Sequence, residues 1–441
     1  MATESYSGVR PLLLRGGRVI DPAAVRDEAA DVLLSDGRIA DVGNGLGTPD
    51  DAIVIDATGL VVAPGLIDLH VHLREPGYEH KETIATGARA AAAGGFTAVC
   101  AMPNTDPPTD DPASVGYVRA AGLRAGAARV YPTGAVSVGQ NGERLTEIGE
   151  MINAGAVAIT DDGRPVATAG LMRLALEYAR TFGIPVASHC EDPTLSRGGS
   201  MNEGLIATRM GVVGIPNASE DVCIARDLLL AELTGSRLHI QHVSTRAGVA
   251  MIRAAKERGV PVTAEATPHH FTLTDEAVES YRSDAKVNPP LRRKEDRAAV
   301  IAGVADGTLD VIATDHAPHH YDEKEQAFED APFGLVGLET ALGLALTELV
   351  HTNVIDLPTL VLRMSTAPAR AFNLPGGSLQ RGVVADVSVF DPVREWTVDP
   401  AGFLSKSRNT PFTGRTLRGR AVYTIVGGRI VYDASDPRAT R

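Results

Sequence analysis

The sequence predicts an α/β fold, a (β/α)₈ TIM-type barrel with a small β-sandwich domain that both chain termini form. Short apolar strands alternate with helical segments through the middle of the chain, and the two flanks share strand and glycine-turn patterns. Alternating strands and helices are typical of a parallel sheet, and eight repeats are typical of a closed barrel. The predicted ranges are 1–63 and 371–441 for the sandwich and 64–370 for the barrel.

Each predicted barrel strand is a short apolar run. The eight runs are 66–72, 96–102, 128–135, 155–160, 184–189, 237–242, 261–266 and 309–314. The clearest helical segments between them are 171–183, 220–235 and 246–258. A glycine closes or follows each of these segments, which suits a helix C-cap.

The flanks have a different pattern, of β-branched runs around glycine turns. LLLRGGRVID at 12–21 resembles YTIVGGRIVYD at 423–433, and LLSDGRIADV at 33–42 is close to both. A glycine turn between β-branched runs is typical of a hairpin. We therefore expect both chain ends to build one domain made of strands.

Composition and charge narrow the function classes. A net charge of −13 argues against nucleic acid or an anionic membrane as partner, so an anionic substrate needs a local basic residue. Three widely spaced cysteines do not make a disulfide framework. The start MATESYSGVR has no apolar signal region, and no segment approaches the roughly 20 apolar residues of a membrane span. A reducing cytoplasm is expected.

Polar residues with catalytic potential collect where the predicted strands end. Function in such barrels lies at the carboxyl ends of the strands. Seven of the eight ends carry such residues, in the segments DLHVHLREPG, AMPNT, ITDDG, SHCED, IQHVST, EATPHH and IATDHAPHH. A single histidine is more often a hydrogen-bonded core residue, but this concentration is hard to attribute to folding alone.

The first of these segments contains an H-x-H pair, His70 and His72. Residues two apart in a strand point to the same side, so both imidazoles reach one point. Further strand ends raise the number of potential metal ligands to six: His189, His242, Asp315 and one of Asp161 and Asp162. Six ligands are too many for one tetrahedral ion and suit two metal ions about 3.5–4 Å apart that share a carboxylate.

Strand alternation separates the two acids of ITDDG. Asp162 continues the inward phase of the small residues in AVAIT, whereas Asp161 falls in the outward phase and is interpreted as a turn or capping acid. The same rule sends His239 inward and His242 outward. Either the strand ends or bulges there, or His239 is the true ligand, and the sequence leaves this open.

Three polar residues and one loop are candidates for substrate binding. Arg74 suits a substrate carboxylate because its guanidinium is planar, and an ion pair with a neighbouring glutamate is the alternative. Asn104 in MPNTDPP and Asn288 in VNPPLR precede rigid turns, and turn roles are their alternatives. The loop 319–334 is polar and lacks apolar periodicity, so it is either a mobile lid or a solvated connection.

Together these residues resemble the amidohydrolase superfamily, and within it the class I dihydroorotases. The motifs that carry the resemblance occur in order: APGLIDLHVHLREPG, AAAGGFTAVCAMPNT, ITDDG, ASHCED, HIQHVST, TAEATPHH, KVNPPLR, IATDHAPH and APFGLVGLET. Dihydropyrimidinases, hydantoinases, allantoinases and the other dihydroorotase class usually bridge their metals with a carboxylated lysine. This chain has DDG and no lysine there, as class I dihydroorotases do, and Arg74 favours a substrate with a free carboxylate.

The resemblance implies a role for each candidate. The implied metal ligands are His70, His72 and Asp315 for one ion, His189 and His242 for the other, and Asp162 as the bridge. The implied substrate-binding residues are His72, Arg74, Asn104, Asn288 and His319, with the backbone around Phe333 and Gly334. This favours His242 over His239, against strand alternation. The implied cofactors are two divalent metal ions, with zinc as the first expectation.

The implied reaction is the reversible cyclisation of N-carbamoyl-L-aspartate to L-dihydroorotate and water, a step of pyrimidine synthesis. In the hydrolytic direction a metal-bridging hydroxide attacks the ring carbonyl, and Asp315 acts as general base and then acid. The alternative is another cyclic amidohydrolase, of the hydantoinase, dihydropyrimidinase or allantoinase type. An inactive scaffold protein is disfavoured because the ligands are intact. A homodimer is expected, and a complex with aspartate carbamoyltransferase is left open.

Overall fold

The structure is a computed structural model that describes residues 9–436. The strands are β1 Leu12–Asp21, β2 Arg26–Ser35, β3 Arg38–Gly43, β4 Ile53–Asp56, β5 Val61–Pro64, β6 Leu66–Val71, β7 Phe96–Ala101, β8 Arg129–Pro132, β9 Val186–Ser188, β10 Met201–Asn202, β11 Gly214–Ile215, β12 Leu238–Ile240, β13 Val262–Ala266, β14 Val311–Ile312, β15 Val387–Thr397, β16 Thr416–Val426 and β17 Arg429–Asp433.

Helices alternate with the strands of the central part of the chain. The α-helices are α1 Ile84–Ala93, α2 Pro112–Ala125, α3 Ile148–Ala154, α4 Ala169–Phe182, α5 Pro193–Ser196, α6 Leu205–Met210, α7 Asn217–Thr234, α8 Arg246–Glu257, α9 Pro268–Thr272, α10 Lys294–Asp306, α11 Tyr321–Lys324, α12 Ala341–Ala345, α13 Leu357–Val361 and α14 Ala367–Ala371. The predicted mixed α/β class is confirmed. No helix within residues 9–436 combines the length and apolar character needed to cross a membrane.

Strands from both ends of the chain form one eight-stranded sheet. Its order is β17–β16–β15–β5–β1–β2–β3, and β4 pairs with β1. The strand β5 joins the two ends, because it pairs in parallel with β1 and antiparallel with β15. Leu14, Val32, Val387 and Ile425 belong to one apolar cluster, so the sheet has a core of its own. The predicted ranges of this domain begin and end outside the described residues.

The central strands form two parallel sheets, β6–β7–β8 and β14–β13–β12–β9. Isolated parallel bridges lie between them. Ile159 bridges Gly134 on one side and Val186 on the other, and Val71 bridges His316. The carboxyl ends of neighbouring parallel strands lie at the same edge of a sheet, which is where ligands bind in α/β folds. The polar segments that follow these strands are therefore brought together.

Most predicted strands are shorter in the structure. The segment 155–160 contributes only the bridges of Ile159, and β14 spans only Val311–Ile312. The three predicted helices correspond to α4, α7 and α8 with ends shifted by a few residues. Gly183 and Gly235 follow α4 and α7 in the left-handed conformation, as expected of C-caps.

The strand β6 does not alternate regularly. Its register against β7 shifts between Asp68 and Val71, so one extra residue is accommodated there. Ile67 and Leu69 pack in a core cluster that includes Cys100 and Phe372.

Candidate metal centre

Four histidines from three strand ends surround the carboxylate of Asp162. Its Oδ1 atom lies 3.3 Å from His70 Nε2, and its Oδ2 atom lies 3.4 Å from His72 Nε2. Oδ1 also lies 3.5 Å from His189 Nδ1 and 3.7 Å from His242 Nε2. Asp162 thus belongs to two groups of three potential ligand atoms, each within 4.8 Å of one another. A carboxylate in this position is suited to bridging two cations.

Asp315, which follows β14, completes the cluster. Its Oδ1 atom lies 3.1 Å from His72 Nε2 and 3.5 Å from His70 Nε2, on the side of the H-x-H pair. Asp315 has a left-handed φ of 49°, and Arg74 has one of 61°. Residues other than glycine rarely adopt this conformation, and they do so most often at functional sites. The backbone is thus bent at the points where it directs polar side chains to the cluster.

Within residues 9–436, three buried polar atoms of the cluster have no hydrogen-bond partner. They are His70 Nε2, Asp162 Oδ1 and His242 Nδ1. A buried polar atom left without a partner costs about 1–3 kcal/mol. Imidazole nitrogens and carboxylate oxygens are common ligands of zinc and related ions. The residues present therefore fit a centre for divalent metal.

The electrostatics of the cluster favour positive charge. Burial alone raises the pKa of Asp162, but the charge of His70 and the close approach of His189 lower it well below its ordinary value. Burial also opposes protonation of His189, yet Asp162 and Glu191 raise its pKa to about 10. The field that holds protons on these imidazoles equally stabilises a metal cation that displaces them.

Glu265, on β13, accepts hydrogen bonds from two of the ligand candidates, His70 and His242. Its Oε1 atom accepts hydrogen bonds from His70 Nδ1 at 2.7 Å and from His242 N at 3.1 Å. Burial raises the pKa of Glu265, but the charge of His70 and the hydrogen bond from His239 lower it to about 2. Such a carboxylate fixes the orientation and tautomer of a ligating histidine. Sequence analysis missed Glu265, although an acid inside the buried strand VTAEA is a usable signal.

We expect Glu265→Gln to weaken metal binding by about 10- to 100-fold, because glutamine cannot supply the charge that orients His70. The measurement is competition of the purified protein with a chelator for added Zn²⁺. Glu339→Gln is the control, since Glu339 is half-buried and accepts hydrogen bonds from the backbone of Leu404 and Ser405, away from the cluster. Equal metal affinity in Glu265→Gln and the unsubstituted protein would contradict the role.

The structure places His242, and not His239, in the cluster. The strand β12 ends at Ile240, and His242 turns with a left-handed φ of 32°, so that its Nε2 atom lies 2.9 Å from His189 Nδ1. His239 is bonded to Thr263 and Glu265 instead. The alternation rule fails for His242 because the strand has already ended.

Asp161 faces away from Asp162, as alternation predicts, but it is not a simple turn acid. Its carboxylate is buried, and Oδ1 accepts hydrogen bonds from Val136 N at 2.8 Å and Ser137 N at 3.1 Å. The hydroxyl of Ser137 also donates to it. Asp161 therefore ties the segment that carries Asp162 to the chain that follows β8.

Arg74 lies at the edge of the cluster, against the start of the loop 319–334. Its Nε atom donates to the carbonyl of Pro318 at 3.2 Å, and its NH2 group lies 3.3 Å from His319 Nε2. His319 Nε2 in turn donates to the carbonyl of Phe333 at 2.8 Å. Glu75, a neighbouring glutamate, does not pair with Arg74. Its carboxylate accepts hydrogen bonds from Ile84 N and from the hydroxyl of Tyr117 on α2.

Asn104 contacts a histidine of the cluster directly, and Asn288 reaches one through Glu191. Asn104 Oδ1 accepts a hydrogen bond from His72 Nδ1 at 2.8 Å. Asn288 Nδ2 donates to Glu191 Oε2 at 2.7 Å, and the same oxygen accepts from His189 Nε2 at 3.0 Å. Glu191, in the SHCED segment, was also missed from the sequence. Substrate binding by the two asparagines stays a prediction.

The loop 319–334 contains α11 and is held by two buried lysines, Lys286 from outside the loop and Lys324 from within it. Their ammonium groups donate to five backbone carbonyls, those of Phe328, Glu329 and Ala331 for Lys286 and those of Pro332 and Gly334 for Lys324. Burial lowers the pKa of Lys286 to about 8 and that of Lys324 to about 7. This contact pattern does not fit a solvated connection, and the lid role stays a prediction.

Known proteins resemble this chain along nearly its whole length. A family model described as Dihydro-orotase-like matches residues 59–248. The dihydroorotase of Pelotomaculum thermopropionicum is 56% identical over 420 residues, which are 95% of this chain and 98% of that protein. The dihydroorotase of Anaeromyxobacter sp. (strain K) is 56% identical over 424 residues, which are 96% and 98% of the two chains.

Solved structures of related enzymes have the same fold. The L-hydantoinase (dihydropyrimidinase) from Arthrobacter aurescens superposes with a TM-score of 0.86 at 27% identity, over 96% of both chains. The identity to the two dihydroorotases is about twice as high and extends over as much of the chain. This chain therefore belongs to the dihydroorotase family.

Proposed function

We propose that this protein is a dihydroorotase, which interconverts N-carbamoyl-L-aspartate and L-dihydroorotate with loss or uptake of water. The observation that carries the proposal is the Asp162 carboxylate shared by two groups of ligand atoms, with Arg74 beside them. Relatives named dihydroorotase at 52–56% identity over almost the full chain support the same activity. An intact ligand set also disfavours an inactive scaffold protein.

Two divalent metal ions, zinc in the first place, are the proposed cofactors. The proposed ligands are His70, His72 and Asp315 for one ion, His189 and His242 for the other, and Asp162 for both. Bound there, such ions polarise a carbonyl and lower the pKa of water so that hydroxide is available near neutral pH. The unpartnered buried atoms His70 Nε2 and Asp162 Oδ1, which lie 3.3 Å apart, support this assignment.

Asp315 is the proposed proton carrier. Its carboxylate lies next to the H-x-H pair, 3.1 Å from His72 Nε2, on the side of the cluster where the chain turns toward the loop 319–334. During ring opening it accepts the proton of the attacking water and then donates it to the departing amide nitrogen. During ring closure the same transfers run in reverse. No second acid is therefore needed to protonate the leaving amide nitrogen.

Arg74 and the start of the loop are the proposed site for the substrate carboxylate. The guanidinium is held at its Nε by Pro318 and stands beside His319, so its donors are oriented before substrate arrives. A planar guanidinium binds a carboxylate through two parallel hydrogen bonds. Asn104 and Asn288, with the backbone around Phe333 and Gly334, are proposed to complete the pocket.

We expect Arg74→Gln to lower kcat/KM for L-dihydroorotate about 10- to 100-fold, because hydrogen bonds to a charged group contribute roughly 1.5–3 kcal/mol. Turnover of hydantoin, which has an uncharged ring, should change little. Arg173→Gln is the matched control, since Arg173 lies on the surface in an ion pair with Glu177. An equal loss with both substrates would show that Arg74 does not read the carboxylate.

One experiment tests the proposed function directly: metal content and turnover measured on the same purified sample. L-Dihydroorotate is compared with hydantoin and allantoin as substrates. Preference for dihydroorotate together with about two metal ions per chain is the expected result. Preference for an uncharged ring would favour the second candidate, a hydantoinase-type or allantoinase-type enzyme. The structural similarity to the Arthrobacter aurescens L-hydantoinase is the reason for testing this candidate.

We also propose that the central strands close into one (β/α)₈ barrel, with residues 64–370 as the barrel and residues 1–63 and 371–441 as a β-sandwich domain. The bridges of Ile159 and the bridge between Val71 and His316 support closure, since they lie at both gaps between the parallel sheets. The eight-stranded sheet of both chain ends supports the second domain.

The proposed assembly is a homodimer in the cytoplasm. Exposed apolar side chains on the neighbouring helices α4 and α7 support a contact with a second copy: Leu174, Tyr178, Phe182, Leu229 and Leu233. Light scattering of the purified protein measures the assembly. The three free, buried cysteines support a reducing compartment. A complex with aspartate carbamoyltransferase is a further proposal, tested by mixing the two purified enzymes.

A further inference from the structure

Asn409 lies against both ends of the loop that follows Asp315. Its Oδ1 atom accepts a hydrogen bond from His319 N at 3.1 Å. Its Nδ2 atom donates to the carbonyls of Ala317 and Gly334, each at 3.1 Å. The side chain is buried, so all three bonds are made away from solvent. One carboxamide from the C-terminal part of the chain therefore joins the first and last residues of the loop.

The two ends of the loop are in close contact at this point. Gly334 has a φ of +127°, and a Cβ atom there would lie 2.6 Å from Ala317 Cβ and 3.2 Å from His319 Nε2. Only glycine accommodates both the conformation and the spacing. Nearby, Val336 N donates to the carbonyl of Asn409 at 2.9 Å. Asn409 thus fixes the distance between Ala317 and Gly334, where there is no room for a side chain larger than that of glycine.

This spacing reaches the residues proposed to bind substrate. His319 contacts Arg74 NH2 at 3.3 Å and the carbonyl of Phe333 at 2.8 Å. Arg74 is also held by the carbonyl of Pro318, which lies between two residues that Asn409 contacts. A shift of the loop start therefore moves the guanidinium and the imidazole together, while the metal-ligand candidates are held by contacts of their own.

We propose that Asn409 is a positioning residue for the substrate carboxylate, which acts through the loop and Arg74. The inference rests on the proposed dihydroorotase function. Asn409 touches neither the metal-ligand candidates nor the reacting atoms, so its loss affects substrate affinity more than the chemical step. The interaction couples the C-terminal part of the chain to the catalytic pocket.

The test is steady-state kinetics of Asn409→Ala and Asn409→Asp with L-dihydroorotate. We expect KM to rise about tenfold while kcat stays within about threefold, because orientation of the binding groups is lost and the metal centre is kept. Aspartate retains the acceptor for His319 N but cannot donate to the two carbonyls, so it also tests the proposal if the alanine variant does not fold. In the double variant with His319→Ala, the two effects on KM should be less than additive.

Ser407→Ala is the matched control, because Ser407 lies in the same segment and donates to the carbonyl of Lys81 instead. Hydrogen exchange of the His319 amide gives a readout that needs no substrate and should accelerate in Asn409→Ala but not in Ser407→Ala. Unchanged KM, unchanged exchange, or a fall in kcat alone would overturn the proposal. If the unsubstituted protein does not turn over dihydroorotate, the proposed function fails, and hydrogen exchange still decides whether Asn409 anchors the loop.

Discussion

Asp162→Ala is expected to remove both metal positions at once and to lower dihydroorotate turnover by about 10³-fold or more, because the metal ions supply several kcal/mol of the catalysis. The carboxylate is the one group shared by both sets of ligand atoms, so each set loses a member. Metal content and turnover of the same purified sample measure the two effects together.

The adjacent acid is the control for this experiment. Asp161→Ala removes hydrogen bonds to Val136 N and Ser137 N and leaves the ligand set intact. It should reduce the free energy of unfolding by about 1–3 kcal/mol while the folded protein keeps its metal. Full metal content in Asp162→Ala, or a larger metal loss in Asp161→Ala, would reverse the assignment of the two acids.

Asp315→Ala is expected to lower turnover about 10²- to 10⁴-fold, the usual contribution of general acid–base catalysis. Metal content should fall less completely, since His70, His72 and Asp162 still face the same position. The variant should also lose the dependence of kcat/KM on pH that the base produces.

An acid at the other end of β14 provides the comparison. Asp310 accepts hydrogen bonds from Lys256 Nζ and Ala264 N, so Asp310→Ala weakens the fold without touching the cluster. Turnover per folded molecule should be unchanged in that variant. Turnover near that of the unsubstituted protein in Asp315→Ala would rule out its role as proton carrier.

The sequence was sufficient where side-chain direction depends only on neighbours along the chain. Asp162 lies among the histidines and Asp161 bonds to Val136 N and Ser137 N, which is the separation that alternation predicts, although a turn already begins at Asp161. Alternation does not describe His242, since the strand ends at Ile240. Such irregularities arise from packing between distant segments and leave no local pattern.

Residues that position the site residues through hydrogen bonds were not predicted from the sequence. Glu265 contacts His70 across 195 positions of the chain, and Asn409 contacts Gly334 across 75. A single sequence does not indicate which residues so far apart will be in contact. The acid within VTAEA was a detectable anomaly, but Asn409 lies in a segment without any catalytic motif, so only the folded structure identifies it.

The position of β5 has a consequence for the order in which the protein folds. The strand pairs with β1 nearby in sequence, but its other edge pairs with β15, through Pro64 with Val387. During synthesis this edge stays open until more than three hundred further residues have left the ribosome. Contacts of such long range slow folding, and an open strand edge invites association with other chains. The nascent chain therefore exposes this edge to other chains until β15 has been made.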